Sequence, residues 1–312
     1  MDFLVTLQSV SVLFLLIVVG FIVGRVNIIS LSGQKELSNF VLKVTMPATI
    51  ILALQFEFTK ERFTIATHII AIAIVAYLAM ILLAKFMRRF YKLDEAQRDI
   101  AETGMVLPNT SFMGYPIVLS LLGEEALFYA VLGTGLIFEI VGWTYGAYMI
   151  NRSTGGDFKK NLVKNILFSP GIVSIIIGFS LFIFSITIPE PINTTMRLLS
   201  GATSPLAMIV VGILLSRSNI KECLTNTKLY FISITRLLIF PMLLFFGLKM
   251  FGFTGMKIII PVMMLSTPTA AYVAIFAGNA NNNTKLASQI VFVSSLLSLI
   301  TIPIMVYLVM SV

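Results

Sequence analysis

The chain has 312 residues, 58% of them hydrophobic and only 12% charged, with a mean hydropathy of +0.98 and a formal net charge of +8. A soluble chain carries about twice that share of charge, so a polytopic membrane protein with no sizeable soluble domain is expected. The basic residues sit in short connections between apolar runs, which points to membrane topology rather than nucleic acid, and the lone cysteine, Cys223, excludes an internal disulfide or a cysteine-based metal cluster.

Apolar runs near 3–26, 34–55, 63–88, 95–122, 125–150, 161–185, 191–216, 226–251, 256–279 and 285–311 predict ten transmembrane helices. The first has no basic n-region and no small-residue cleavage site, so it reads as a retained span rather than a signal peptide. The fourth is interrupted at Leu107-Pro108-Asn109-Thr110-Ser111-Phe112-Met113-Gly114-Tyr115-Pro116, and the ninth at Leu265-Ser266-Thr267-Pro268-Thr269-Ala270-Ala271-Tyr272. Prolines and small polar residues at those depths would leave peptide groups unpaired in lipid, so both breaks must be buried in protein or line a polar cavity. Interrupted spans at corresponding places in two halves are the best sequence pointer to the substrate site of a secondary transporter.

The longest connection, 151–160 with Gly155-Gly156 inside it, divides the chain into residues 1–150 and 161–312, five spans each. Alternate connections hold fifteen and five Lys or Arg residues, which with Lys43 and Arg236 inside spans account for all 22. The rich side should be cytoplasmic, placing 151–160 inside and both termini outside, in the plasma (cell inner) membrane. A weak internal repeat appears at an offset of 158 residues: Ile17-Val18-Val19-Gly20-Phe21 matches Ile175-Ile176-Ile177-Gly178-Phe179, Thr45 and Pro47 match Thr203 and Pro205, and Leu107 matches Leu265. Tyr115 and Tyr272 fall one residue off that register. Five spans per half is an odd number, so the second half enters the membrane inverted, an arrangement that alternating access uses directly.

The Leu-Pro-Asn-Thr-x-x-Met-Gly-x-Pro motif at 107–116 resembles the fourth-span signature of the auxin efflux carrier family, which includes the plant PIN-type carriers and malate permeases. The second break, Asn279 to Asn283 and a last span with Pro303 look like that family's ninth and tenth spans, so the resemblance covers essentially the whole chain. It implies an all-α fold like that of the bile acid–sodium symporters, with two inverted five-helix repeats whose fourth and ninth spans cross at mid-membrane. It further implies a scaffold unit, a transport unit, transport of small organic anions and a possible homodimer. Two departures matter. The long hydrophilic central loop of the plant carriers is absent, which argues for a prokaryotic relative and against auxin, and the ninth span has Tyr272-Val273 where the fourth has Tyr115-Pro116.

Asn109, Thr110 and Ser111 can donate to a carboxylate without carrying charge into the bilayer; alternatively they satisfy the broken backbone. Thr267 and Thr269 are their counterparts, while Pro116 and Pro268 shape the crossover rather than bind. Pro241 and Pro303 read as ordinary kinks. Glu139, in the middle of the fifth span, is either a proton-coupling carboxylate or a structural one paired with Arg236 or Lys43. Lys43 and Arg236 either attract an anion or snorkel to the cytoplasmic interface. His68, the only histidine, reads as structural sooner than as a proton carrier. Thr45, Thr49, Thr203 and Ser204 either line the site or allow close helix packing. The sixteen methionines read as adaptable packing, and Gly123-Glu124-Glu125 as an exposed turn.

The leading expectation is a secondary transporter for a small carboxylate, malate-like, coupled to protons or sodium, needing no cofactor, no metal and no nucleic-acid partner. No zinc-protease helix, serine elbow or intramembrane aspartate pair is present, since Asp2, Asp94, Asp99 and Asp157 fall at interfaces, so an enzyme is not expected. The alternative is a membrane sensor or scaffold that keeps the fold without transport. The orientation is directly testable: a cysteine placed in 151–160 should react with an impermeant thiol reagent only from the cytoplasmic side, and labelling from outside in sealed cells would reverse the topology.

Overall fold

The computed structural model describes residues 3–90, 93–153, 167–217 and 219–310. Residues 154–160 of the central connection, the first part of the expected sixth span, and Lys159, Lys160 and Lys164 lie outside the described residues. Apart from one isolated backbone bridge, the described secondary structure is helical. Among the described residues, six helical runs are long and apolar enough to cross a bilayer: Ser32–Ala53, Lys60–Phe90, Thr110–Asn151, Glu190–Ser216, Thr227–Met250 and Thr284–Met310. Ser11–Arg25, Pro170–Ile183 and Met256–Leu265 are shorter apolar helices. Leu15, Val75, Leu82 and Ile300 are exposed large apolar side chains of the kind a lipid-facing surface carries.

Helix starts follow ordinary capping rules, which fixes the chain's turning points. Ser30, Thr59, Asp94 and Ser169 each accept a hydrogen bond from the backbone N–H three residues on, supplying an acceptor that the first helical turn lacks. They open α2 (Leu31–Phe40), α4 (Lys60–Met87), α5 (Glu95–Val106) and α9 (Pro170–Ile183), following α1 (Phe3–Arg25) and α3 (Met46–Ala53). Between α5 and α9 come α6 (Tyr115–Tyr129), α7 (Leu136–Val141) and α8 (Ala147–Asn151). Gly123, at φ +82°, breaks α6 and turns the chain back, with Glu124 and Glu125 exposed at the turn as the sequence suggested.

The rest comprises α10 (Glu190–Ser216), α11 (Ile220–Thr225), α12 (Thr227–Ile234), α13 (Phe240–Met250), α14 (Met256–Leu265), α15 (Ala271–Asn279) and α16 (Thr284–Met310). Wide π turns at Val41–Thr45, Thr110–Gly114 and Thr235–Ile239 each end two residues before a proline: Pro47, Pro116 and Pro241. A proline has no N–H to donate and crowds the carbonyl four residues back, and the widened turn relieves both problems without ending the helix. Pro241 therefore does more than bend a helix: it sets the turn that carries Arg236.

The helices pack in two groups. In one, α1 lies along α10, and α9 and α10 pack on α3. In the other, α4 packs on α5, α7 and α14, α5 packs on α12, and α5, α12 and α14 pack against α16. Close approach in the first group depends on glycines. A β-carbon on Gly20 would lie 2.7 Å from the Ile209 Cα, and one on Gly178 would lie 3.3 Å from the Ile51 Cα. Both members of the second contact are displaced by 158 positions from their counterparts in the first, from 20 to 178 and from 209 to 51. Thr49 reinforces the group by donating to Thr203 at 2.9 Å.

Gly20→Ala should therefore destabilise the protein by about 1–3 kcal/mol through overpacking, because backbone rather than a flexible side chain blocks the space. Gly247→Ala, where an added methyl meets nothing within 4 Å, should be neutral or slightly stabilising in a helix. Thermal unfolding of both variants in detergent measures the difference; equal melting temperatures would contradict the packing argument.

Candidate functional site

The two breaks lie against each other. α5 ends at Val106, Leu107 is extended, and α14 ends at Leu265. There the Asn109 N–H donates to the Pro268 carbonyl at 2.7 Å, and the Ala270 N–H donates to the Leu107 carbonyl at 2.9 Å, an antiparallel pairing of two peptide segments. Each break thereby satisfies peptide groups of the other, the requirement that irregular backbone faces at membrane depth.

Their side chains behave differently. Asn109 caps the following π turn, its Oδ1 accepting from the Phe112 N–H at 3.3 Å, but its Nδ2 has no partner. The hydroxyls of Thr110 and Ser111 also have none, and all three residues are at most 3% exposed. Pro116 starts α6 and is buried. On the other break the hydroxyls are spent on backbone: Thr267 donates to the Met264 carbonyl and Thr269 to the Gly104 carbonyl, each at 2.8 Å. Thr269 also receives Ser294 of α16, whose hydroxyl accepts its N–H at 3.1 Å.

The sequence left Arg236 open between attracting an anion and snorkelling. Arg236 does not snorkel: it is 1% exposed and sits between the breaks. Nη1 donates to the Met105 carbonyl at 3.0 Å and approaches the Met80 sulfur at 3.4 Å, while Nη2 donates to the carbonyls of Thr267 at 2.8 Å and Leu265 at 3.5 Å. These carbonyls belong to the last turns of α5 and α14 and the peptide just beyond, where orphan acceptors and negative dipole ends favour a cation. An arginine inside an apolar run, five residues before a proline, was the signal available; its partners, 31 and 131 residues away, were not.

Glu139 is 2% exposed and pairs with neither Arg236 nor Lys43. It accepts from the Trp143 Nε1 at 3.2 Å and from the Tyr272 hydroxyl. Its carboxyl carbon lies 2.6 Å from where a β-carbon on Gly171 would be, so it is pressed against the first turn of α9, in the other helix group. Lys43 is exposed, in keeping with snorkelling, and His68 is exposed with Nδ1 2.7 Å from the Thr64 carbonyl. Thr45 bonds within its own helix, Thr203 joins Thr49 across two helices, and Ser204 is half-buried.

Asp99, expected at a membrane interface, is 1% exposed there, between Arg88 at 2.5 Å and Arg152 at 2.6 Å, two residues of the connections assigned to the cytoplasmic side. Glu102, equally buried, takes Arg88 at 2.9 Å and the Tyr145 hydroxyl. This network ties the start of α5 to the ends of α4 and α8; Asp2 and Asp157 lie outside the described residues.

A cavity of about 880 Å³ opens between α2, the end of α10, α15 and the start of α16, with Lys35, Asn39, Arg217, Lys285 and Gln289 in its wall. Lys285, 2.5 Å from Glu222 at its rim, holds that carboxyl below the usual range. The inner wall reaches Ala274 and Ile275, one turn into the half-helix that starts at the cross. At the cross a void of about 10 Å³, lined by Gly114, Ser266 and Thr267, has room for one water at most.

The sequence profile of the membrane transport protein family matches residues 5–306. The chain belongs to this family. It is the auxin efflux carrier family that the 107–116 motif resembles. Among its relatives are uncharacterised transporters of Methanocaldococcus jannaschii, 27% identical over 96% of this chain and 97% of that one, and of Methanothermobacter thermautotrophicus, 24% identical over 97% and 98%. A candidate malonate transporter of Rhizobium meliloti is 23% identical over 95% of this chain and 93% of its own. The family is one of multi-pass membrane transporters, not an enzyme family.

Proposed function

We propose that this protein is a secondary active transporter of a small organic anion, a carboxylate held at the crossing of the two broken helices. The observation that carries the reading is the set of buried, unpartnered donors on one break: Asn109 Nδ2 and the hydroxyls of Thr110 and Ser111. Leaving such groups unsatisfied costs about 1–3 kcal/mol each, a cost that a bound carboxylate removes. The name of the Rhizobium meliloti relative favours a short dicarboxylate such as malonate.

The cross is closed, and the large cavity stops a turn short of it. Substrate entry thus requires one helix group to move against the other, which is alternating access. The paired glycine contacts at positions 20 and 178 support two inverted five-helix repeats, with α1, α3, α9 and α10 as the fixed unit. Glu139, on α7 and against Gly171 of the fixed unit, is our candidate for coupling a proton or sodium ion to that movement. The runner-up, a sensor or scaffold, keeps the same buried donors; binding without flux in proteoliposomes would favour it, and counter-ion-dependent malonate uptake favours transport.

A charge-assisted hydrogen bond to an anion contributes on the order of 1.5–3 kcal/mol, roughly ten- to a hundredfold in affinity. Asn109→Ala should weaken substrate binding by that factor with folding and insertion intact, whereas Thr267→Ala should cost less because its hydroxyl is already committed to Met264. Equal losses would indicate a symmetric site, and no loss at Asn109 would move the substrate elsewhere. Glu139→Gln should abolish pH-driven uptake while permitting substrate exchange; pH dependence that survives intact would make Glu139 structural.

A further inference from the structure

Arg236 presents an electrostatic problem that the proposed site resolves. Burying a cation without a counter-ion costs several kcal/mol even after relaxation, and no carboxylate among the described residues pairs with it. Its hydrogen-bond partners are the carbonyls of Met105, Leu265 and Thr267, with the Met80 sulfur close by; its Nε–H is buried without a partner. Glu139, a buried carboxyl on α7, is held by Trp143 and Tyr272 instead.

Four helix ends meet at the cross. α5 and α14 point their negative C-terminal ends at it, and the helices starting at Thr110 and Ala271 point their positive N-terminal ends at it. Each end is equivalent to roughly half an elementary charge, so the four nearly cancel. Without Arg236 the cross would be close to neutral, with exposed carbonyls that repel an anion. With Arg236 the carbonyls are covered, and the four helix ends and the guanidinium together sum to about +1. The guanidinium and the break that carries the proposed ligand donors are held by adjacent peptides. The guanidinium binds the carbonyl of Thr267, and the Asn109 N–H binds the carbonyl of Pro268, the next peptide, whose Cα is about 3.8 Å away.

We infer that Arg236 makes the crossover selective for anions: it is a positioning residue that draws both breaks onto one guanidinium, and its fixed charge discriminates an anionic ligand from a neutral one of the same shape. This rests on the carboxylate reading above. It assigns the choice by charge to a residue that need not replace Asn109 as a hydrogen-bond donor.

The test compares malonate with its neutral analogue malonamide, by thermal stabilisation and by uptake into proteoliposomes, in the wild type, Arg236→Gln and Arg236→Lys. The wild type should prefer malonate by about tenfold or more. Arg236→Gln should bring the preference close to one, and Arg236→Lys, which keeps the charge but loses the fork, should restore much of it despite a lower melting temperature. An unchanged preference in Arg236→Gln, or equal defects in Gln and Lys variants toward both ligands, would reduce Arg236 to a scaffold residue. Should neither variant fold, the wild type still decides, since malonamide binding as tightly as malonate overturns the inference. A wild type that neither binds nor moves malonate, succinate or malate overturns the carboxylate reading itself, a result distinguishable from failure at Arg236 alone.

Discussion

Peptide groups at membrane depth must find partners inside the protein, and the crossing of the two breaks is organised by that demand. Asn109 and Leu107 pair with Pro268 and Ala270, and Arg236 collects carbonyls left over on both sides. Remove that pairing and neither broken helix is tolerable in lipid. With it in place, the wide turns before Pro47, Pro116 and Pro241 let their helices accept a proline without ending.

The division of labour at the cross follows from the same accounting. Thr267 and Thr269 satisfy backbone carbonyls, so their break serves as a wall. Asn109 uses only its oxygen on the backbone, and Thr110 and Ser111 use neither hydroxyl, so the other break retains donors. The sequence suggested the same asymmetry for another reason, the replacement of a proline by Val273. Hydrogen bonding accounts for it more directly.

Local chemistry was legible in the sequence; long-range pairing was not. Proline beside small polar residues disclosed both breaks, and Gly123 disclosed its turn, because each acts on its own backbone. Arg236 was left open and Glu102 passed over because their environment comes from other elements: the Thr267 carbonyl for the first, Arg88 and Tyr145 for the second. Hydropathy places a lone arginine in an apolar run near the surface, and only tertiary structure reveals two helix ends waiting for it. Tyr272 likewise looked like a register marker and proved to hold Glu139.

The π turn at Thr110–Gly114 also sets the two breaks apart. A π turn is an α-helix carrying one additional residue. Tyr115 lies eight positions after Leu107 and Tyr272 seven after Leu265, and the second break contains no such turn. Under the proposed repeat, the one-residue slip between the tyrosines coincides with the extra residue of that turn, and the break that carries it is the one that keeps unpartnered hydroxyls at Thr110 and Ser111.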